Sequence, residues 1–223
     1  MRVASVHLAR ALAFVESLDL NPKGHVYYPD LVAGIVDKYK FLKFPQALED
    51  FDELKGVEFI GGKWGDVVVE RLTIYQNGIL LDTRASTDES ERLIHEGLAW
   101  ASSTFSLTFD VSMIKRRGYL SDLVFYSDCP SLLESFSPVA NLNQRIYEAH
   151  SKISGDRTAW KPTKLEFFSE SVPRKPMFAP FTIQRRADTP FSENKYFSEA
   201  PLPTDQHIAL LKAFEAEVIA AAK

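Results

Sequence analysis

The chain has one cysteine, Cys129, in the run Ser127-Asp128-Cys129-Pro130. A nucleophilic thiol needs its pKa lowered by a histidine, a cation or a helix N-terminus. A helix led by Ser131 would supply the last of these, but Asp128 beside the thiol opposes a thiolate, and no nucleophile signature surrounds it. Cys129 therefore reads as a buried or incidental thiol. One cysteine also excludes an intramolecular disulfide, so the fold is expected to stand on its core in a reducing compartment, the cytoplasm.

The five histidines, His7, His25, His95, His150 and His207, are isolated from one another. None stands four residues from a second histidine or beside a Cys pair, the spacings that put two ligands on one ion. No metal and no cofactor is expected. Asp110, Asp122 and Asp128 could in principle hold Mg²⁺ for phosphoryl chemistry, but they recur at no recognisable offset and have no nucleophilic partner. Gly61-Gly62-Lys63-Trp64-Gly65 lacks the spacing, the hydroxyl and the following helix of a phosphate-binding loop and reads as turns.

Basic clusters fall in the second half of the chain: Lys115-Arg116-Arg117, Arg174-Lys175 and Arg185-Arg186. Trp160, Phe167, Phe168, Phe178 and Phe181 lie among them. Cations that track phosphates and rings that stack on bases can bind single-stranded nucleic acid, with Lys115, Arg116, Arg117, Arg185 and Arg186 as the contacts. Alternation along strands would instead bury half of these rings and leave the cations solvated at turns. A second aromatic set, Phe178, Phe181, Phe191, Tyr196 and Phe197, sits in a proline-rich stretch. Rings exposed on loops there would mark an interface with another chain.

Composition narrows the classes further. The 223 residues are 45% hydrophobic and 25% charged, enough apolar content for a real core and too much for disorder. The net charge of −4 opposes non-specific attraction of the whole molecule to nucleic acid or anionic lipid. Residues 1–110 carry 11 basic and 17 acidic side chains, and residues 111–223 carry 15 and 13, so any basic face belongs to the second half. His7 and Arg10 interrupt the N-terminal apolar residues too soon for a signal peptide, and no apolar run spans a bilayer.

The elements that position these residues follow from periodicity. Leu8, Leu12, Val15 and Leu18 predict an amphipathic helix that ends at Asn21-Pro22-Lys23-Gly24. A second helix is expected from Pro29-Asp30, carrying Leu31, Ile35, Val36 and Tyr39. Val57–Ile60 and Val67–Tyr75 read as strands, with turns at Gly61-Gly62 and Gly65-Asp66. Asn77-Gly78 suits a type I′ turn into Ile79–Arg84, which would pair Tyr75 with Leu80 and Ile74 with Leu81 and put Leu72, Ile74 and Leu81 on the core face. Ser86-Thr87-Asp88-Glu89 has capping-box spacing ahead of a helix through Leu93, Ile94, Leu98, Ala101 and Phe105, in which Gly97 allows close packing on the sheet. A strand pair is expected at 110–126, turning at Gly118. Beyond it come a helix interrupted by Pro138, a helical stretch that stops near Gly155, strands at 165–168 and 181–185 among many prolines, and a C-terminal helix capped by Thr204 with Ile208, Leu211, Phe214 and Val218 on one side.

These expectations define an α+β fold: a mostly antiparallel sheet containing the 67–84 hairpin and the 110–126 pair, flanked by helices, with the C-terminal helix docked on the core. A single domain over 1–223 is expected, with a weak subdivision near 128–160 as the alternative. The two halves share a crude order of strands and helices, yet their residues do not align. The functional expectation leans away from an enzyme, toward a non-catalytic protein-binding or assembly protein that self-associates or docks on another protein. The alternative is a nucleic-acid-binding or nucleic-acid-processing protein that uses the basic second half.

Overall fold

The computed structural model describes residues 1–24, 26–130, 132–134, 137–155, 157–170 and 179–221. The chain divides into two compact units: Val6–Ser121 with Pro201–Asp205, and Met1–Ser5 with Asp122–Ala200 and Gln206–Lys223. The fold is α+β, with eight strands and five α-helices among the described residues, and five of the strand pairings are resolved as antiparallel ladders.

The first of these units, the cavity unit below, contains most of β1 (Arg2–Phe14), then a single turn α1 (Ser17–Leu20), α2 (Tyr28–Tyr39), β2 (Val57–Trp64), β3 (Val67–Tyr75), β4 (Gly78–Thr83) and α3 (Thr87–Phe105). Its strands lie in the order β2-β3-β4-β1. The N-terminal segment is a strand, which corrects the expected helix. Ala9, Ala11, Ala13 and Val15 alternate along it and are all buried, with Leu8, Leu12 and Phe14 on the other face. Pairing of Ala9, Ala11 and Ala13 with Thr83, Leu81 and Ile79 of β4 overrides the helix preference of alanine.

The β3–β4 hairpin forms, but its register differs from the expected one. Tyr75 pairs with Gly78, Ile74 with Ile79 and Leu72 with Leu81, so Gln76 and Asn77 make the turn. Gln76 is drawn out of the ladder by two main-chain bonds, accepting from Ser17 N (2.7 Å) and donating to Glu53 O (3.1 Å). Gly78 then lies where an added Cβ would come 3.0 Å from Ala13 O, so close strand approach, not turn conformation, accounts for the glycine. Because the slip keeps the parity of the pairing, Leu72, Ile74 and Leu81 still share one face.

Gly61 and Gly62, expected in a turn, are strand residues of β2, and Gly62 has no side chain because the Phe41 ring occupies that place. The turn at Gly65-Asp66 joins β2 to β3 as expected. Ser86 caps α3 by accepting from Glu89 N (3.1 Å), whereas the Glu89 carboxylate binds Arg92 (2.6 Å) instead of closing a capping box. Behind the cap, Ser90 Oγ donates to Ala9 O (2.8 Å) and lies 2.9 Å from Thr83 Oγ1, which satisfies buried hydroxyls where α3 crosses the sheet. On the opposite sheet face the buried Asp82 accepts from Arg10 Nε (2.7 Å) and Nη2 (2.8 Å), and Arg71 Nε lies at 3.5 Å.

The expected strand pair at 110–126 is one strand, β5 (Arg116–Tyr126), with Gly118 inside it. The preceding residues are bent into a 3-10 turn at Val111–Met113 because Asp110 accepts from Ser112 N (2.9 Å), satisfying the turn with its own side chain.

The other unit contains the end of β5, α4 (Ser137–Ser154), β6 (Lys164–Phe167), β7 (Phe181–Arg185), β8 (Lys195–Ala200) and most of α5 (Thr204–Ala221), with strand order β5-β8-β7-β6. Pro138 was expected to interrupt a helix ahead of α4; it lies instead in the first turn of α4, where a missing N–H costs nothing, and opens the helical stretch expected to stop near Gly155. The proline-rich stretch holds a strand that was not expected, β8, in which Tyr196, Ser198 and Ala200 are buried alternately. The C-terminal helix packs on this sheet. Its buried residues are Thr204, His207, Leu211, Glu215 and Val218, rather than the full expected stripe through Ile208 and Phe214.

Both units follow the succession strand, helix, three strands, helix. The relation has a fixed offset at its end: β4 and β8, and the starts of α3 and α5, lie 117 positions apart. The buried Thr87, Ser90, Ile94, Leu98 and Ala101 of α3 have buried counterparts in Thr204, His207, Leu211, Glu215 and Val218; only Leu93 has an exposed one, Leu210. Thr87 and Thr204 exchange reciprocal bonds, Thr204 N to Thr87 Oγ1 (2.8 Å) and Thr87 N to Thr204 Oγ1 (3.1 Å). Between these paired elements only Thr87/Thr204, Asp88/Asp205, Leu93/Leu210 and Ala99/Ala216 are identical, which is why sequence alone shows only a crude common order.

Candidate functional site

A cavity of about 300 Å³ lies inside the cavity unit, between its helices and the inner sheet face. The hairpin contributes Val69, Leu72, Ile74, Ile79 and Leu81, α2 contributes Leu31, Ile35 and Tyr39, and α3 contributes Leu93, Ile94, Leu98 and Ala101. These are the apolar faces that strand alternation and helix periodicity predict.

Aromatic residues form part of the wall. Trp64, at the end of β2, stacks on Tyr39 with centroids 4.0 Å apart, and Trp100 meets Tyr39 edge-on at 5.6 Å. The Trp64 ring fits because Gly97 presents no side chain; a Cβ there would lie 3.3 Å from the ring. Lys38 Nζ lies over the Trp100 ring at 4.9 Å, covering this aromatic group with a cation.

Polar lining residues come from Ser17, Asn21, Tyr28 and Glu53, in the same stretch of wall as the exposed Leu18 and as Gly24 and Val26. The same two main-chain bonds that shift the hairpin register bring Ser17 and Glu53 to Gln76, and Ser17 Oγ donates to Glu53 Oε2 (2.9 Å). Tyr28 packs edge-on against Phe51 at 5.8 Å. Its buried hydroxyl lies near the Glu53 carboxylate without a hydrogen bond of normal geometry. Burial first, and the negative Glu53 second, hold the Tyr28 phenol far above its ordinary pKa. The Tyr39 hydroxyl is also buried without a protein partner, and burial followed by the Glu96 charge raises its pKa. The lining thus holds two neutral phenols, a carboxylate, a hydroxyl and a carboxamide in a wall that is otherwise largely apolar. That composition suits binding and orientation of a small amphiphile.

The residues singled out by sequence lie elsewhere. Phe178, Arg174, Lys175, His25 and Ser131 fall outside the described residues. Of the aromatic interface candidates, Tyr196 is fully buried and stacks on Phe125 at 5.5 Å, and Phe181 packs on Phe167 and His207. Phe197 is half-buried and Phe191 is exposed at 45%. The four described candidates do not share one exposed face, because strand alternation turns Tyr196 inward.

The basic candidates divide between the two units. In the cavity unit Lys115 pairs with Asp19 (3.6 Å), Arg116 lies over Phe14 (4.7 Å), and Arg117 pairs with Glu91 (2.6 Å). In the other unit Arg185 is buried between Phe191 and Tyr196, donates to Phe191 O (3.1 Å) and lies 3.6 Å from Glu134, while Arg186 is exposed. Cys129 is buried, and its amide donates to Ser127 Oγ (3.0 Å). His207 is buried against Ser198 Oγ (2.8 Å). Asp110 serves its turn, and hydrogen bonds from Ser112 lower its pKa. Among the described residues no group of three His, Cys, Asp or Glu side chains is placed to hold a metal ion, and no helix is long and apolar enough to cross a membrane.

Sequence reasoning identified Leu31, Ile35, Tyr39, Leu72, Ile74, Leu81, Leu93, Ile94, Leu98, Ala101 and Gly97 as packing residues, but not as walls of a void. Ser17, Tyr28, Glu53, Trp64 and Trp100 carried no functional signal, since no motif relates them. The pairing of two tryptophans with a helical glycine was the one available hint of an unusual packing site. No protein-family model matches the chain, and no curated protein matches it.

Proposed function

We propose that the chain is a non-catalytic binding protein that holds a small, largely apolar ligand in the cavity unit. The observation that carries this reading is the cavity volume. About 300 Å³ walled almost entirely by apolar side chains is far more space than a close-packed interior leaves between its elements, and a concave apolar wall with a few polar groups is the form that small-molecule sites take. A dry cavity of about 150 Å³ accepts benzene, so twice that volume suits a ligand of roughly a dozen non-hydrogen atoms.

The test is a titration with 1-decanol, followed through the fluorescence of Trp64 and Trp100 in the cavity wall. Saturable binding with one site per chain and a ligand-dependent rise in Tm is expected. Unchanged fluorescence and Tm up to the solubility limit would refute the reading.

Self-association through the other unit is a second reading, favoured by Trp160, Phe167 and Phe168, all exposed on or beside the edge strand β6. An edge with no neighbouring strand among the described residues, flanked by exposed rings, suits antiparallel pairing with β6 of a second copy. Light scattering across a hundredfold concentration range should then show a dimer that Phe167→Lys dissociates. A monomer throughout would exclude it.

A further inference from the structure

We infer that the cavity selects amphiphiles whose polar end is a cationic amine, held by Glu53, in preference to carboxylates or neutral alcohols of equal chain length. This rests on the cavity reading above and specifies its ligand class. Three observations support it. Glu53 is a half-buried carboxylate in a wall otherwise dominated by apolar side chains. Among the described residues it forms no ion pair; its side chain accepts the Ser17 hydroxyl (2.9 Å), and Lys55, two residues on, pairs with Asp52 (3.0 Å). The neighbouring Tyr28 hydroxyl is buried without a well-formed bond, so a donor placed between the phenol oxygen and the carboxylate would satisfy both.

An ammonium group supplies three donors and a compensating charge, and its alkyl chain would extend over Leu72, Ile74 and Leu81 toward the Trp64–Tyr39 stack. A carboxylate would bring a second negative charge beside Glu53 in a site of low polarity, where like charges repel strongly. An alcohol donates one bond and adds no charge. The expected order is therefore amine, then alcohol, then carboxylate.

The experiment compares decylamine, 1-decanol and decanoate in the same tryptophan-fluorescence titration at pH 7, on the full chain and on Glu53→Gln. Decylamine should bind at least tenfold more tightly than 1-decanol, and decanoate at least tenfold more weakly. Glu53→Gln should bring decylamine to the level of 1-decanol, and a circular dichroism spectrum and Tm matching those of the unsubstituted chain show that the variant is folded. Decylamine no tighter than 1-decanol, or an amine preference that survives Glu53→Gln, would overturn the inference while leaving the cavity reading intact. Failure of all three ligands to bind would remove both.

Discussion

Ala101→Leu probes the space beneath α3, because the sign of its effect depends on the volume there. Ala101 is buried on the cavity side of the helix and lines the space directly. Leucine adds three carbon atoms. At about 0.8 kcal/mol per buried methylene the gain approaches 2.4 kcal/mol, and fixing the longer side chain returns about 0.5–1 kcal/mol. A stabilisation of about 1–2 kcal/mol remains. For a chain of this length that corresponds to a rise in Tm of roughly 2–8 °C. In a core already packed to normal density the same substitution forces neighbours off their rotamers and costs about 1–3 kcal/mol. Differential scanning calorimetry without ligand reads the sign, and the two units make a resolved two-step transition a possible form of the trace. A fall in Tm would refute the cavity. A rise accompanied by weaker 1-decanol binding is the expected pair of results, since the added carbons occupy space that the ligand needs.

Two further perturbations test features outside the cavity. Asp82→Ala leaves Arg10 and Arg71 facing each other across β4 without the carboxylate between them; both arginines keep some access to water, so a loss of about 2–3 kcal/mol in urea denaturation is expected, below the full cost of breaking a buried pair. Glu215 is buried, which by itself would raise its pKa, but hydrogen bonds from the Met1 amino group, Ser127 Oγ and the Asp128 amide outweigh burial and lower it. Its stabilising contribution is complete above the unfolded carboxylate pKa and is lost as pH falls through the depressed folded value, so Glu215→Gln should flatten the decline in Tm from roughly pH 5 downward.

The legible parts of the fold are those where local chemistry and tertiary context agree. Ser86 caps α3, Gly155 with φ 75° follows the last turn of α4, and the β3–β4 hairpin forms with its apolar face inward, because each depends on neighbours close in sequence. Illegibility begins where distant partners decide. Nothing near Leu8–Leu18 shows that Ala9, Ala11 and Ala13 will meet β4, and a helix-period set of leucines coexists there with a strand-period set of alanines. Nothing near Asn77-Gly78 shows that Ser17 and Glu53 will claim the main chain of Gln76. The same two bonds that defeated the register expectation assemble the polar part of the cavity wall, so one long-range contact hid both from a local reading.

The repeated topology sharpens the contrast between the units. At the position 117 residues after Leu98, a cavity wall residue, stands Glu215, and at the position after Ser90 stands His207. In the second unit these buried places are filled by side chains that carry their own partners: Glu215 takes Ser127 Oγ at 2.6 Å and the Asp128 amide at 2.8 Å, and His207 takes Ser198. Polar groups so engaged cannot wall an apolar void, since each would lose its partner to make room. The first helices differ in the same sense: α2 buries Val32, Ile35 and Tyr39, whereas α4 has no fully buried residue among those described. The proposed ligand capacity is therefore a matter of side-chain choice within a shared succession of elements, and exchanging Leu98 for the glutamate of its counterpart should abolish 1-decanol binding by placing an unpaired carboxylate in the wall.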